Sequence, residues 1–164
     1  MILYLSFIFF KKMLKFDKYN LQTSQTTELI KIVQSIENPN ECIRKIVVFG
    51  IKEEEQSIYL ETLQKDFIEA KIVPYSSFLN ISKDKYESFQ SNKLTITLQD
   101  KKNMIKSNYI KVFCGNEHLV YDPVFMSGPL CGPIFIVTNF VDEWNTLLSD
   151  DPSLCKRVLF ISLD

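Results

Sequence analysis

Apolar residues recur every three or four positions from Ser24 to Glu37, at Leu29, Ile30, Val33 and Ile36, behind candidate caps at Thr23, Ser24, Thr26 and Thr27. That spacing predicts an amphipathic helix, and Asn38-Pro39-Asn40 ends it. The pattern then changes. Ile46 to Phe49 is a β-branched and aromatic run without polar interruption, as a strand covered on both faces requires, and Gly50 closes it. Glu53-Glu54-Glu55 opens a second helix, where three carboxylates complement the positive end of the helix dipole and Tyr59, Leu63, Phe67 and Ala70 line one face. The same carboxylates exclude a phosphate cradle at this turn, which needs glycines and a basic residue. Lys71-IVPYS reads as a second strand with Pro74 at an end or on an edge, after which Ser76 and Ser77 cap a short helix carrying Phe78, Leu79 and Ile81.

Ser82 to Asn108 is polar and lysine-rich, and its one alternating stretch, Leu94-TITL, reads as a strand exposed on one side. Tyr109 to Gly115 and His118 to Asp122, separated by a three-residue turn, predict an antiparallel hairpin that Asp122-Pro123 stops. In GPLCGPIFIVTNF two Gly-Pro pairs bracket Cys131 ahead of an all-apolar strand, Ile134 to Val137. Its prolines lack the amide hydrogens an anion cradle needs, so the reading is structural: Gly132 permits a bend and Pro133 fixes the first strand position. Val141 to Leu148 follows as a helix with Trp144, Leu147 and Leu148 inward, and Arg157-VLFISL is a final strand. Interleaved helices and strands predict an α/β fold: a mixed, mainly parallel sheet sandwiched by helices, with the hairpin as an antiparallel insertion. One domain is expected over residues 24–164, with 82–122 insertion-like, behind an extension at 1–23.

Composition narrows the classes. The 164 residues suffice for one ordinary core, and 46% hydrophobic with 24% charged residues is a globular balance. A formal net charge of -1 gives no overall field that demands nucleic acid or an anionic membrane, so any such contact must be local. Cys42, Cys114, Cys131 and Cys155 are widely spaced with no C-x-x-C, which suits reduced, buried thiols in an intracellular setting; Cys114-x-x-x-His118 lacks the paired ligands of a structural zinc site. The N-terminal MILYLSFIFF, followed by Lys11, Lys12 and Lys15, is too short to span a bilayer and has its charge on the wrong side for a secretory signal. Either it is an interfacial or packing segment, or translation starts at Met13.

From Ser24 onward the order of elements resembles the ribosomal stalk-base protein of the large subunit, the universal large-subunit family numbered ten, and its mitochondrial members more than its bacterial ones. The resemblance is carried by TELIKIVQSIE leading into IRKIVVFG, by YLETLQKDFIEAKIV, by the corner VPYSSFL, and by PLCGPIFIVTN before DEWNTLLSDDPSLCKRVLFISL. Three departures stand beside it. The corner has Pro74 and Tyr75 where bacterial members carry a lysine and an asparagine; Ser82 to Asp122 is longer than the bacterial pattern; and the helix that recruits the stalk dimers is missing after Asp164. The resemblance implies a non-catalytic ribosomal protein, a ribonucleoprotein component for translation in the mitochondrial matrix, whose partners are ribosomal RNA and neighbouring large-subunit proteins. Stalk dimers, a membrane, cofactors and metal are not expected.

The residues themselves add a locally basic middle third. Lys71, Lys83, Lys85, Lys101 and Lys102, with Lys106 and Lys111, are the candidate phosphate contacts, and Tyr75, Tyr86 and Tyr109 are candidate stacking rings. For any one of these lysines a solvated face is the better explanation, so the reading needs all of them together. Two alternatives remain open: an α/β protein-interaction module using the aromatic N-terminus or Trp144, and a thiol enzyme in which His118, the sole histidine, activates Cys131.

Overall fold

A computed structural model describes residues 23–38, 43–115, 124 and 128–163. Its elements run α1 (Thr23–Glu37), β1 (Ile46–Gly50), α2 (Gln56–Asp66), β2 (Lys71–Ile72), α3 (Lys83–Gln90), β3 (Thr95–Leu98), α4 (Ser107–Phe113), β4 (Ile134–Thr138), α5 (Val141–Asp150) and β5 (Val158–Ser162). Single 3-10 turns stand before α2, after β2 and before β5. Among the described residues five strands form one sheet in the order β2-β3-β4-β1-β5, and every pairing is parallel.

The sheet separates two apolar layers. Val47, Phe49, Leu94, Ile96, Phe135, Val137, Leu159 and Ile161 point to one face and meet Leu29, Ile32 and Val33 of α1 and Tyr59 and Leu63 of α2. The alternate positions Ile46, Val48, Ile134, Ile136 and Val158 point to the other, against Tyr86 and Phe89 of α3, Ile110 and Phe113 of α4, and Trp144 of α5. Period-two alternation thus delivers both faces of β1 and β4 to a core, which is why neither strand carries a polar residue before its last position. The connection from β1 to β2 travels one way along the sheet and uses the α1/α2 face; the later connections travel the other way and use the opposite face. A single, right-handed sense of crossover requires that division.

Three expectations fail here. The hairpin is absent in its first half, because Tyr109 to Phe113 lies in α4, whose Ile110, Val112 and Phe113 are buried at helical spacing; His118 to Asp122 lies outside the described residues. With it goes the antiparallel part of the sheet. Secondly, Leu94 to Leu98 is not exposed on one side: Thr95 and Thr97 are as buried as Ile96, because β3 lies between β2 and β4 with helices on both faces. Thirdly, the polar stretch before it holds α3, where the Ser82 hydroxyl accepts the Lys85 amide at 3.3 Å and only Tyr86 and Phe89 turn inward. Two inward residues in an eight-residue helix leave little periodicity to read. Leu147 and Leu148 of α5 are half-buried, and only Trp144 is fully enclosed.

The GPLCGP segment is anchored as a structural connection. Gln90 Nε2 donates to the Gly128 and Pro129 carbonyls at 3.2 and 3.3 Å, Tyr86 donates to Gly128 at 2.6 Å, Arg44 Nε donates to the Leu130 carbonyl at 2.9 Å, and the Cys131 amide donates to the Gln90 carbonyl at 2.9 Å. Pro133 then passes its carbonyl to the Thr95 amide at 3.1 Å, starting the β3/β4 ladder.

Candidate nucleic-acid interface

In an open parallel sheet the exposed connections at the strand C-termini are the usual place for a ligand, above all where neighbouring strands send their chains in opposite directions. Here that point lies between β1 and β4. It is filled from within. Gln56 is buried, and its Nε2 donates to the Ile51 carbonyl at 3.4 Å and to Asn139 Oδ1 at 3.3 Å. A Cβ on Gly50 would meet Val141 Cγ2 at 2.9 Å, so the two departing connections touch. Above them stand exposed Glu53 and Glu54, which repel an anion.

Further along the same edge the first turn of α3 and the loop after β3 carry most of the lysines expected to contact RNA. The Tyr75 hydroxyl donates to the Asn103 carbonyl at 2.6 Å and fastens the corner after β2 to the loop after β3. Lys83 and Lys85, in the first turn of α3, therefore emerge on the same edge as Lys101 and Lys102. Beneath this loop the indole Nε1 of Trp144 donates to Gln99 Oε1 at 2.7 Å, and Gln99 Nε2 donates in turn to the Lys101 carbonyl at 3.1 Å. Both side chains are fully buried. The backbone carrying Lys101 thus rests on a closed hydrogen-bond chain. Sequence reading missed Gln99, since one glutamine after an alternating strand is an ordinary surface pattern.

The lysines differ in availability. Lys83 Nζ lies 3.9 Å from Glu87, Lys102 Nζ 3.2 Å from Glu143 and Lys111 Nζ 3.0 Å from Asp151, while Lys106 sits over the Tyr109 ring at 5.4 Å from its centroid. Lys85 and Lys101 are exposed and have no carboxylate partner among the described residues. Lys71 is exposed as well, but its register with Thr95 sets it in the row where the strands begin, away from the others.

The tyrosines do not serve as expected. Tyr75 and Tyr86 are buried, so neither ring is open to a base, and burial raises both phenols, that of Tyr86 to about 12. Tyr109 is half-buried and covered by Lys106. Nor are the thiols uniformly interior. Cys131 and Cys155 are exposed, and Cys114 is half-buried, with burial pushing its thiol up to about 12. His118 and Cys42 lie outside the described residues, and among those described no group of three or more His, Cys, Asp or Glu could hold a metal ion. No described helix is long and apolar enough to cross a membrane.

Compared with known proteins, the chain matches no family model, and no curated protein sequence matches it.

Proposed function

We propose that the chain is a non-catalytic, RNA-docking protein of the large ribosomal subunit, held at the stalk base of a mitochondrial ribosome among its neighbouring proteins. The observation that carries this reading is the pair of exposed cations without a carboxylate partner among the described residues, Lys101 and Lys85, whose Nζ donates to the Asn80 carbonyl at 3.3 Å, on one edge of the sheet with Lys83 and Lys102. Such an arrangement suits a few phosphates in a fixed geometry. It does not suit broad electrostatic capture, because Asp84, Asp100, Asp142 and Glu143 belong to the same edge and the chain has a net charge of -1. Docking of that kind needs no stacking ring, so the burial of Tyr75 and Tyr86 leaves it intact.

The test is binding of the full chain to a transcript of the stalk-base region of large-subunit RNA, measured against salt. Each phosphate neutralised contributes roughly 0.7 to 0.9 to the slope of log affinity on log salt. Replacing Lys85 and Lys101 together by glutamate is expected to weaken binding at least tenfold and flatten that slope by about 1.5. Absence of affinity at low salt, or an unchanged slope in the double variant, sinks the reading. Co-sedimentation of the native protein with large ribosomal subunits tests its assembly independently.

A further inference from the structure

Among the described residues β5 is an edge strand, with β1 on one side of it and no strand on the other. The ladder decides which of its groups meet β1. Ile46 donates to the Arg157 carbonyl at 3.0 Å and Leu163 to the Gly50 carbonyl at 2.7 Å, so the odd-numbered residues of β5 face β1. The even-numbered ones, Val158, Phe160 and Ser162, therefore turn their N–H and C=O groups outward. One of these groups is engaged: Gln25 Nε2 of α1 donates to the Phe160 carbonyl at 2.7 Å. The outward row carries neither charge nor proline, two devices that commonly close an edge against pairing. β2, at the other edge, is two residues long and turns only Ile72 outward.

We infer that the outer edge of β5 pairs with the same edge of a second copy, antiparallel about Phe160, and that Gln25 gates this pairing. The row is complementary to itself: a two-fold axis at Phe160, normal to the sheet, sets Val158 opposite Ser162 of the second copy and Phe160 opposite its counterpart, and each pair can exchange both backbone bonds. The half-buried Phe160 ring gains an aromatic neighbour on its own face of the sheet. Charge selects the same arrangement. Antiparallel docking brings the start of one copy's strands level with the finish of the other's, so that Lys156, exposed, and Arg157, half-buried, come level with exposed Glu53 and Glu54 in the turn after β1. An extended peptide from another protein could meet the same backbone bonds but not these matched charges at both ends. The gate follows from register. Every antiparallel register that pairs more than one of the outward residues uses the Phe160 carbonyl, so Gln25 must release it first. β4 and β1 lie between this edge and the strand leading to Lys101, so self-pairing and RNA docking stand or fall separately.

The experiment is sedimentation velocity of the full chain across a concentration series, with amide exchange read residue by residue on the same samples. A two-chain species is expected that grows with concentration and shrinks with added salt. The amides of Val158, Phe160 and Ser162 should slow as it forms, while those of Leu159 and Ile161, bonded to β1, are slow throughout. Ser162→Pro removes one outward N–H and no bond to β1; it should weaken association roughly tenfold or more, since the two-fold axis removes the bond twice. Ser162→Ala keeps the N–H and should change nothing, and Gln25→Ala should strengthen association several-fold. If Ser162→Pro lowers the unfolding temperature, exchange in the unaltered protein decides alone. Four results overturn the proposal: a single chain at every concentration; a two-chain species whose edge amides stay fast; a two-chain species that folded Ser162→Pro or Gln25→Ala leaves unchanged; or slow edge amides in a single chain, which put another segment on the strand.

Discussion

At Gly132 an added methyl group would lie 1.9 Å from the Lys93 carbonyl oxygen and 2.9 Å from that of Asn92. Both obstacles are backbone, just ahead of β3, so neither turns aside as a side chain would. Gly132→Ala is expected to cost about 3 kcal/mol or more, near the top of the range for overpacked sites, and to lower the unfolding temperature by roughly 10 °C. Calorimetry of the variant checks this. The glycine's importance is legible in the sequence, but its reason is not: the Gly-Pro pair suggests freedom to bend, whereas the structure shows a need for closeness to a chain segment that spacing cannot reveal. Burial of the Cys114 thiol and the Tyr86 phenol gives a second expectation. Both hold their protons in the folded chain up to about pH 12, whereas the unfolded chain loses them from about 9 and 10. The folded state therefore binds more protons in that interval, and stability, fully present below pH 9, falls as pH rises towards 12. At neutral pH iodoacetamide should label Cys131 and Cys155 quickly and Cys114 slowly, as peptide mapping would report.

The fastening between the corner after β2 and the loop after β3 depends on one hydroxyl. Tyr75→Phe keeps the buried ring and removes the 2.6 Å bond to Asn103, an expected loss of about 1 kcal/mol. Amide exchange in residues 101–104 should quicken in that variant while exchange in β1 and β4 stays slow. The elements involved show what patterning conveys. β1 and β4 were legible because each is a short apolar run with a helix on either side of it in sequence, and β5 because it is such a run behind α5. The Tyr109 to Phe113 segment was not, since YIKVF alternates as a strand would while also placing Ile110 and Phe113 three apart; the helix layer over β3 and β4 decides between the two periods. Similarly, β3 looked half-exposed because its threonines are polar, although both occupy the interior. Of the residues expected to contact RNA, Lys83, Lys85, Lys101 and Lys102 share one edge, Lys71 lies at the other, and Tyr75 and Tyr86 are buried: tyrosines that donate to backbone carbonyls carry the same letters as tyrosines offered to a base.

The parallel sheet divides the molecule into two ends with different characters. Where the strands finish, lysines, acids and closed hydrogen-bond chains make a polar, well-supported edge; where they begin, Ile36, Phe67, Ile68 and Leu94 line a hollow together with Asp66, Glu69 and Lys93. The strand order has another outcome, concerning the time course of synthesis. β1 is made first, yet its hydrogen-bonding neighbours are β4 and β5, so that Ile46 finds Ile134 on one side and Val158 on the other. Until those late residues leave the exit tunnel, Val47 and Phe49 have no sheet to enter, and α1 and α2 have no completed surface to cover. Pairings this distant in sequence close slowly. A nascent chain of this protein thus carries β1 without either sheet neighbour until Ile134 to Ser162 have been made.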